Sequence, residues 1–213
     1  MTPESITIEE LVVGDDPAAW AGAGFTVDEG VTVLGSVRIR LAGTERRGLR
    51  SWSLRSFLGD AGHAIDGLET RSGSGPVPEP AVHENGTLLI DHVVVATPDS
   101  ARTTTAFERA GLACRRTRDT EMGGAAMRQT FFRAGEVIIE VVGPPEATDT
   151  GPARFFGLAL TVADLDETAT ALGERLGRAK AAVQPGRRIA TLRHRDLDLS
   201  VPIAFMSAPP ASP

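Results

Sequence analysis

The chain has 213 residues, of which 41% are hydrophobic and 23% charged, a composition typical of a soluble globular protein with one large or two small domains. A formal net charge of −6 argues against nucleic acid and anionic membranes as partners. The single cysteine, Cys114, excludes an intrachain disulfide, and the acidic amino terminus lacks the basic, then apolar pattern of a secretion signal. We therefore expect a cytoplasmic protein that binds neither nucleic acid nor membrane.

Residues 1–70 are predicted to form a first block of secondary structure. It opens with an apolar strand at 6–13, and a short helix follows because Asp16 suits a helix N-cap and Pro17 the first helical position. Three strand-like runs come next, at residues 25–28, 31–41 and 49–57. The two tryptophans of this block, Trp20 and Trp52, are predicted to lie in its core.

Residues 71–86 are rich in Pro, Gly and Ser and are predicted to be a linker. Residues 207–213 have a similar composition and are expected to form a disordered tail. His63, His83 and His194 lie in polar, loop-like contexts, so we expect them to be surface histidines.

The second block, 87–143, repeats the order of the first. A strand at 88–95 precedes a helix that Asp99 can cap and that Gly111 can end. Three strand-like runs follow, near residues 114–118, 126–133 and 136–142.

The third block, 153–206, has the same order again. After a strand at 155–162, Asp164 and Glu167 form a capping-box pattern, and the helix is expected to end at Gly177. Three strand-like runs follow, at residues 179–183, 188–193 and 197–206. A βαβββ order found three times predicts an α+β fold of tandem modules with mixed, curved sheets.

This repeat resembles the vicinal oxygen chelate superfamily, the group of glyoxalases, bleomycin-resistance proteins and extradiol dioxygenases. The resemblance is carried by Ile-Asp-His-Val-Val-Val-Ala-Thr-Pro-Asp at 90–99 and Val-Ile-Ile-Glu-Val-Val-Gly-Pro at 137–144. It covers 87–206 well and 5–57 faintly. It implies that two modules pair into a curved sheet that cups a small-molecule site. It also implies a divalent metal, held by a residue on the first strand of a module and an acid on its last strand.

The resemblance assigns these two metal-ligand positions to His92 and Glu140. Strand alternation agrees, because it places His92 on one face with Ile90 and Val94. A charged Glu140 within an apolar strand is costly unless it faces a metal or another cation, and without a metal it can serve as a general base. The sequence does not distinguish Zn, Fe, Mn, Ni and Mg, and a metal-free site is an equal alternative.

The third block departs from the family pattern. Gly157 occupies the position equivalent to His92, and no acid lies between Leu199 and Ser207, where the equivalent of Glu140 belongs. Three arrangements are compatible with this gap. The second and third blocks form the cup, or the first and second blocks pair so that Glu10 joins the metal site, or two chains pair as a homodimer. We favour the first arrangement, because the connection between the second and third blocks is short, and we also expect a homodimer.

Three further residues are candidates for substrate binding. Alternation places Arg128 on one face with Thr130 and Phe132, and its guanidinium can pair with a carboxylate or phosphate if that face lines the cup. Gln184 and Arg187 belong to a turn before a strand that can border the cavity. The alternatives are a solvent-facing arginine and a plain turn.

These observations predict a glyoxalase-like enzyme that acts on a small oxygenated metabolite, with a lyase, an isomerase and a dioxygenase as open alternatives. In the metal-bound case, an ion at His92 and Glu140 acts as a Lewis acid. The alternative from another class is a metal-free protein that binds or sequesters a small molecule.

Overall fold

The computed structural model describes residues 5–57 and 64–210, and His63 lies outside these ranges. The described residues form two β-sheets with three α-helices. The first sheet contains six strands, namely β1 (Thr7–Val13), β2 (Val31–Leu34), β3 (Val37–Leu41), β4 (Leu49–Arg55), β5 (Ala64–Ile65) and β6 (Leu68–Gly73). Their order across the sheet is β2-β3-β1-β4-β6-β5.

The second sheet contains eight strands. They are β7 (Thr87–Ala96), β8 (Cys114–Met122), β9 (Ala125–Ala134), β10 (Val137–Gly143), β11 (Arg154–Val162), β12 (Lys180–Ala181), β13 (Arg188–Thr191) and β14 (Ile203–Ser207). Their order is β12-β13-β14-β11-β7-β10-β9-β8, so the second and third blocks each contribute four strands and meet at β7 and β11. This is the arrangement that the sequence favoured.

The same pairing pattern organises both sheets. In the second sheet, β7 pairs in parallel with β10, β11 pairs in parallel with β14, and β7 and β11 are antiparallel. In the first sheet, β1 pairs in parallel with β3, β4 pairs in parallel with β6, and β1 and β4 are antiparallel. The strand at 49–55 therefore starts a second, shortened unit, whereas the sequence predicted it as the last strand of a single βαβββ block.

The helices begin where the sequence predicted. They are α1 (Pro17–Gly22), α2 (Ser100–Arg109) and α3 (Leu165–Leu172), and their N-caps are Asp16, Asp99 and Asp164. Each cap side chain accepts a hydrogen bond from a backbone N–H of the first turn, which satisfies a donor that the helix leaves free. The third helix ends earlier than expected, because Gly173 rather than Gly177 is its C-cap.

One hydrophobic core joins the two sheets. Trp20 and Trp52 are fully buried, as predicted. The ring of Trp52 meets Phe107 of α2 at a centroid distance of 6.0 Å and Phe155 of β11 at 5.0 Å, so the first sheet packs against the helix-bearing side of the second. None of the helices in the described ranges has the length and apolar character needed to cross a membrane.

The segment predicted as a linker begins later than expected and is held to the body of the protein. Residues 71–73 still belong to β6. His83 is 5% exposed, which contradicts the expected surface position. Its Nδ1 accepts a hydrogen bond from the backbone N–H of Thr26 at 3.0 Å, and its Nε2 lies 2.9 Å from the carbonyl oxygen of Val33. Burial lowers the pKa of His83 below its ordinary value, although the contact with Val33 opposes this effect.

Candidate active site

The second sheet has a helix-covered face and an open face, which we define as the face that carries His92 and Glu140. Val93 of β7 and Ile139 of β10 are fully buried in the core, on the helix-covered face. In the parallel register of β7 and β10, His92 pairs with Ile138 and Val94 pairs with Glu140. Paired residues project to the same side of a sheet and alternate residues share a side, so His92 and Glu140 lie on one face of neighbouring strands.

A bulge in β7 modifies the face pattern that alternation predicted. Ala159 of β11 pairs with His92, but the next residue, Leu160, pairs with Ile90, so Asp91 is an extra residue in β7. Ile90 is consequently buried in the core and does not share a face with His92. Because a bulge redirects side chains locally, Asp91 turns toward the open face beside His92.

Asp91 forms a compact polar cluster on the open face. Its Oδ1 lies 2.6 Å from Nδ1 of His92, and its Oδ2 lies 2.6 Å from Nη2 of Arg187. Thr161 of β11 donates a hydrogen bond to Oδ2 at 2.8 Å. The side chains of Asp91 and Arg187 are only 10% and 8% exposed, so the ion pair is largely shielded from water. Neither Asp91 nor Thr161 was singled out from the sequence, because the bulge that joins them leaves no local pattern.

The ion pair determines the charge of Asp91. Burial by itself raises the pKa of this carboxyl. The contacts with His92 and Arg187 outweigh burial and hold the pKa well below its usual range. Asp91 is therefore an ionised carboxylate. Its Oδ2 accepts a hydrogen bond from Thr161, whereas its buried Oδ1 has no hydrogen-bond partner among the described residues.

Glu140 belongs to a second polar cluster on the open face. Nε2 of Gln129 donates to Oε1 of Glu140 at 2.5 Å, and Oε1 of Gln129 accepts from Nε of Arg118 at 3.0 Å. Gln129 is 9% exposed and comes from β9, the neighbour of β10. The carboxylate is thus oriented by an amide, and the arginine fixes which end of that amide faces it. No sequence pattern singled out Gln129, although the alternation of β9 places it on the face opposite to Arg128.

The positions equivalent to His92 and Glu140 in the third block carry no donor side chain. His92 and Gly157 each precede the capping aspartate of the following helix by seven residues. A Cβ atom at Gly157 would lie 2.6 Å from the carbonyl oxygen of Pro202, so the backbone there leaves no room for a side chain. Ala204 of β14 pairs with Ala159 of β11, as Glu140 pairs with Val94, and it supplies no ligand either.

The other predicted site residues lie in different places. Glu10 belongs to the first sheet, where Arg40 binds its carboxylate at 2.5 and 3.1 Å, so it does not join His92 and Glu140. Arg128 shares its face with the fully buried Phe132, which stacks on Phe107 of α2. This is the helix-covered face, so Arg128 does not line the open face as the sequence suggested.

The guanidinium of Arg128 instead forms two hydrogen bonds with the exposed carboxylate of Asp119, at 2.7 and 2.8 Å. Gln184 lies in the turn before β13, and its carbonyl oxygen accepts from the backbone N–H of Arg187 at 3.2 Å, which fits the plain-turn alternative. Arg187 is the one predicted binding residue that the structure connects to His92, through Asp91.

The donors present do not fit the divalent metal that the family resemblance implies. Within residues 5–57 and 64–210, no group of three or more His, Cys, Asp or Glu side chains is arranged to hold a metal ion. A catalytic metal usually has three protein ligands, whereas His92 and Glu140 provide two and the equivalent positions provide none. The open face therefore presents an imidazole and a carboxylate without the rest of a metal site.

Two modules paired through antiparallel first strands, with polar groups on the open face, define the vicinal oxygen chelate fold, and comparison with solved structures confirms it. A mutant of 4-hydroxymandelate synthase from Streptomyces coelicolor is similar over 99% of this chain and 94% of its own, with a TM-score of 0.62 and 15% identity. A catechol 2,3-dioxygenase is similar over 99% and 95%, with a TM-score of 0.60 and 12% identity.

A homoprotocatechuate 2,3-dioxygenase from B. fuscum is similar over 98% of this chain and 73% of its own, with a TM-score of 0.58 and 12% identity. No protein-family model matches the sequence, and no curated protein matches it. The likeness to known proteins therefore lies in the fold.

Proposed function

We propose that this protein is an enzyme of the vicinal oxygen chelate type that acts on a small oxygenated molecule bound at the open face of the second sheet. The observation that carries the proposal is the position of His92 and Glu140 on one face of two neighbouring strands. Titratable groups that lie on one face of neighbouring strands among other polar side chains are candidates for an acid–base site. The structural neighbours named above are a synthase and two dioxygenases, which supports an enzyme rather than a scaffold.

The reaction that these two groups suit is proton transfer next to a carbonyl. Glu140 takes the proton from a carbon adjacent to the carbonyl, and the electron pair of that C–H bond moves toward the carbonyl oxygen. Gln129 donates to the carboxylate and so keeps one of its oxygens directed. His92 accepts a hydrogen bond from a hydroxyl of the substrate. An isomerase or a lyase follows from this chemistry.

No step is assigned to a metal ion, because the described residues of this face provide two ligands where three are needed. Metal analysis separates the metal-free interpretation from the metal-dependent one. Metal analysis of protein purified without chelators is expected to show substoichiometric Zn, Fe, Mn, Ni and Mg. A stoichiometric metal that disappears in both His92→Ala and Glu140→Gln would restore the metal-dependent interpretation.

The proposed chemistry is tested by hydrogen–deuterium exchange. Small α-hydroxy ketones and α-keto acids, such as hydroxyacetone and pyruvate, are incubated with the protein in D₂O, and loss of their α-proton signals is followed by NMR. We expect Glu140→Gln to slow exchange by at least about 100-fold, the contribution typical of a general base. Arg128→Ala is the matched control, because Arg128 lies on the helix-covered face, and it should exchange at the wild-type rate. Equal rates in Glu140→Gln and wild type would refute the proposal.

A second candidate function is binding without turnover. The small side chains of Ala159 and Ala204, which pair with each other, leave the third block's half of the open face without a catalytic group, which favours binding of a ligand there. In that case compounds of the same panel raise the melting temperature progressively as their concentration increases, and no α-proton is lost. Exchange that depends on Glu140 would exclude a purely sequestering role.

A further inference from the structure

Two arginines of the edge strand β8 lie on the same open face as Glu140. Phe131 of β9 pairs with Glu140 of β10 on one side and with Arg116 of β8 on the other. Paired residues project to the same side of a sheet, so these three residues form one row across the open face. In the next row Gln129, which donates to Glu140, pairs with Arg118 and accepts a hydrogen bond from its guanidinium. Arg116 and Arg118 are alternate residues of one strand, so their side chains are neighbours, about 7 Å apart at the backbone.

The charges of the β8–β9 hairpin are divided between the two faces of the sheet. On the helix-covered face, the guanidinium of Arg128 is neutralised by the carboxylate of Asp119, and Glu121 alternates with Asp119 along β8. On the open face, neither Arg116 nor Arg118 forms an ion pair with another residue in the part of the chain that the structure describes. The open face therefore holds guanidinium charges that no carboxylate of the described residues neutralises.

Protection of the sheet edge does not account for this distribution. A charge on an edge strand opposes pairing with another chain whichever face it lies on, and Asp119 and Glu121 already supply such charges on β8. Arg133, which pairs with Ile138, is a third exposed arginine on the open face. A cluster of positive charge in a chain with a net charge of −6 attracts anions locally. The planar guanidinium pairs with carboxylate and phosphate groups through two parallel hydrogen bonds.

We propose that Arg116 and Arg118 form an anion-binding site, here called the arginine site, and that the molecule bound beside Glu140 carries a carboxylate or phosphate group held there. Only β9 separates β8 from β10, so the backbones of these two strands lie about 10 Å apart, and side chains from both can cover part of that distance. The anionic group is therefore expected within a few bonds of the carbon that loses its proton. The proposal rests on the proposed function for the position of that carbon, whereas binding of the anion does not depend on turnover.

The test is a titration of the full chain with pyruvate, inorganic phosphate and the uncharged hydroxyacetone, followed through the ¹H–¹⁵Nε NMR signals of the arginines at constant pH and ionic strength. The two signals are assigned by their absence in Arg116→Gln and Arg118→Gln. We expect at least one of the two anions to shift both signals to saturation, and hydroxyacetone, which is similar to pyruvate in size, to shift neither. The anion that binds more tightly identifies the group as a carboxylate or a phosphate. In Arg116→Gln, followed through the Arg118 signal, the affinity should fall at least about 10-fold, the equivalent of one charge-assisted hydrogen bond.

The matched control is Arg128→Gln, which removes an arginine of the same hairpin from the helix-covered face and should bind the anions as the wild-type protein does. Equal affinity in Arg116→Gln and wild type, an equal loss in both variants, or shifts that rise linearly without saturation would overturn the proposal. Glu140→Gln should still bind the anion, because the arginine site keeps its charges. Deuterium exchange without anion binding would contradict the arginine site alone, and anion binding without exchange would contradict the proposed function alone.

Discussion

Replacement of Arg187 by Met removes the cation from a buried ion pair and leaves the carboxylate behind. The side chains of Arg187 and Asp91 are 8% and 10% exposed, so the pair belongs with buried rather than surface salt bridges. Breaking such a pair by removing one partner costs about 3–5 kcal/mol. Thr161 and His92 still contact Asp91, so we expect a loss near the lower end, about 3 kcal/mol.

A loss of about 3 kcal/mol corresponds to a decrease in melting temperature of about 6–12 °C for a chain of this size. The assay is urea denaturation at about pH 7 and again at about pH 4. The double variant Asp91→Leu/Arg187→Met removes both charges and is expected to recover most of the stability, because no unpaired charge remains.

The pH dependence has a definite sign. In the wild-type protein the pKa of Asp91 is lowered, so its stabilising contribution is present above the unfolded-state pKa of about 3.9 and is lost as the pH falls further. In Arg187→Met, burial dominates and favours the protonated carboxyl, so the deficit relative to wild type should shrink toward about pH 4. A deficit below about 1 kcal/mol, or one that is equal at both pH values, would refute this account of the ion pair.

Three further predictions concern other parts of the chain. His83→Ala removes a buried ring with two backbone contacts and should cost about 1–3 kcal/mol in urea denaturation, whereas His194→Ala should have little effect. Burial lowers the pKa of His83, so its contribution to the free energy of unfolding is present above about pH 6.5 and is lost at lower pH. The destabilisation caused by His83→Ala should therefore diminish toward about pH 5, and a destabilisation that stays constant would contradict this interpretation. Gly157→Ala should cost about 1–3 kcal/mol of stability, because the new Cβ would lie 2.6 Å from the carbonyl oxygen of Pro202. The control Gly22→Ala should be neutral or stabilising, because no atom lies within 4 Å of the added Cβ. Equal melting temperatures for the two variants would show that the strand relaxes around the new methyl group. Gln129→Leu should cost about 1–3 kcal/mol, because Glu140 loses its donor and Arg118 its acceptor, and unchanged stability would mean that water replaces the amide.

The contrast between Arg128 and Gln129 shows where sequence reasoning failed in the candidate site. Both residues belong to β9, and alternation states only that they face opposite ways. Which of them reaches the open face depends on the register with β10, where Gln129 pairs with Val142 and Arg128 with Gly143. A register displaced by one residue exchanges the two faces, and no local pattern fixes it.

Glu10 and His83 illustrate the same limit at longer range. Glu10 was a candidate ligand because it is an acid on a first strand, but the first sheet is paired within itself and Arg40 binds that carboxylate. His83 lies in a polar segment that looks exposed in sequence, yet it is anchored by partners more than 49 residues away. Both outcomes depend on contacts between segments that are distant in the chain.

The sequence by itself determined the βαβββ order of the second and third blocks, the aspartate caps that start the helices, and the strands that carry His92 and Glu140. These features follow from periodicity and from side-chain–backbone contacts within a few residues, which every copy of the pattern repeats. Only the tertiary structure decided the pairing of strands into two sheets, the bulge that turns Asp91 toward His92, and the contact of Arg187 with Asp91. The physical reason is that register and bulges are set by the balance of packing over whole sheets, in which a shift of one residue moves every side chain to the other face.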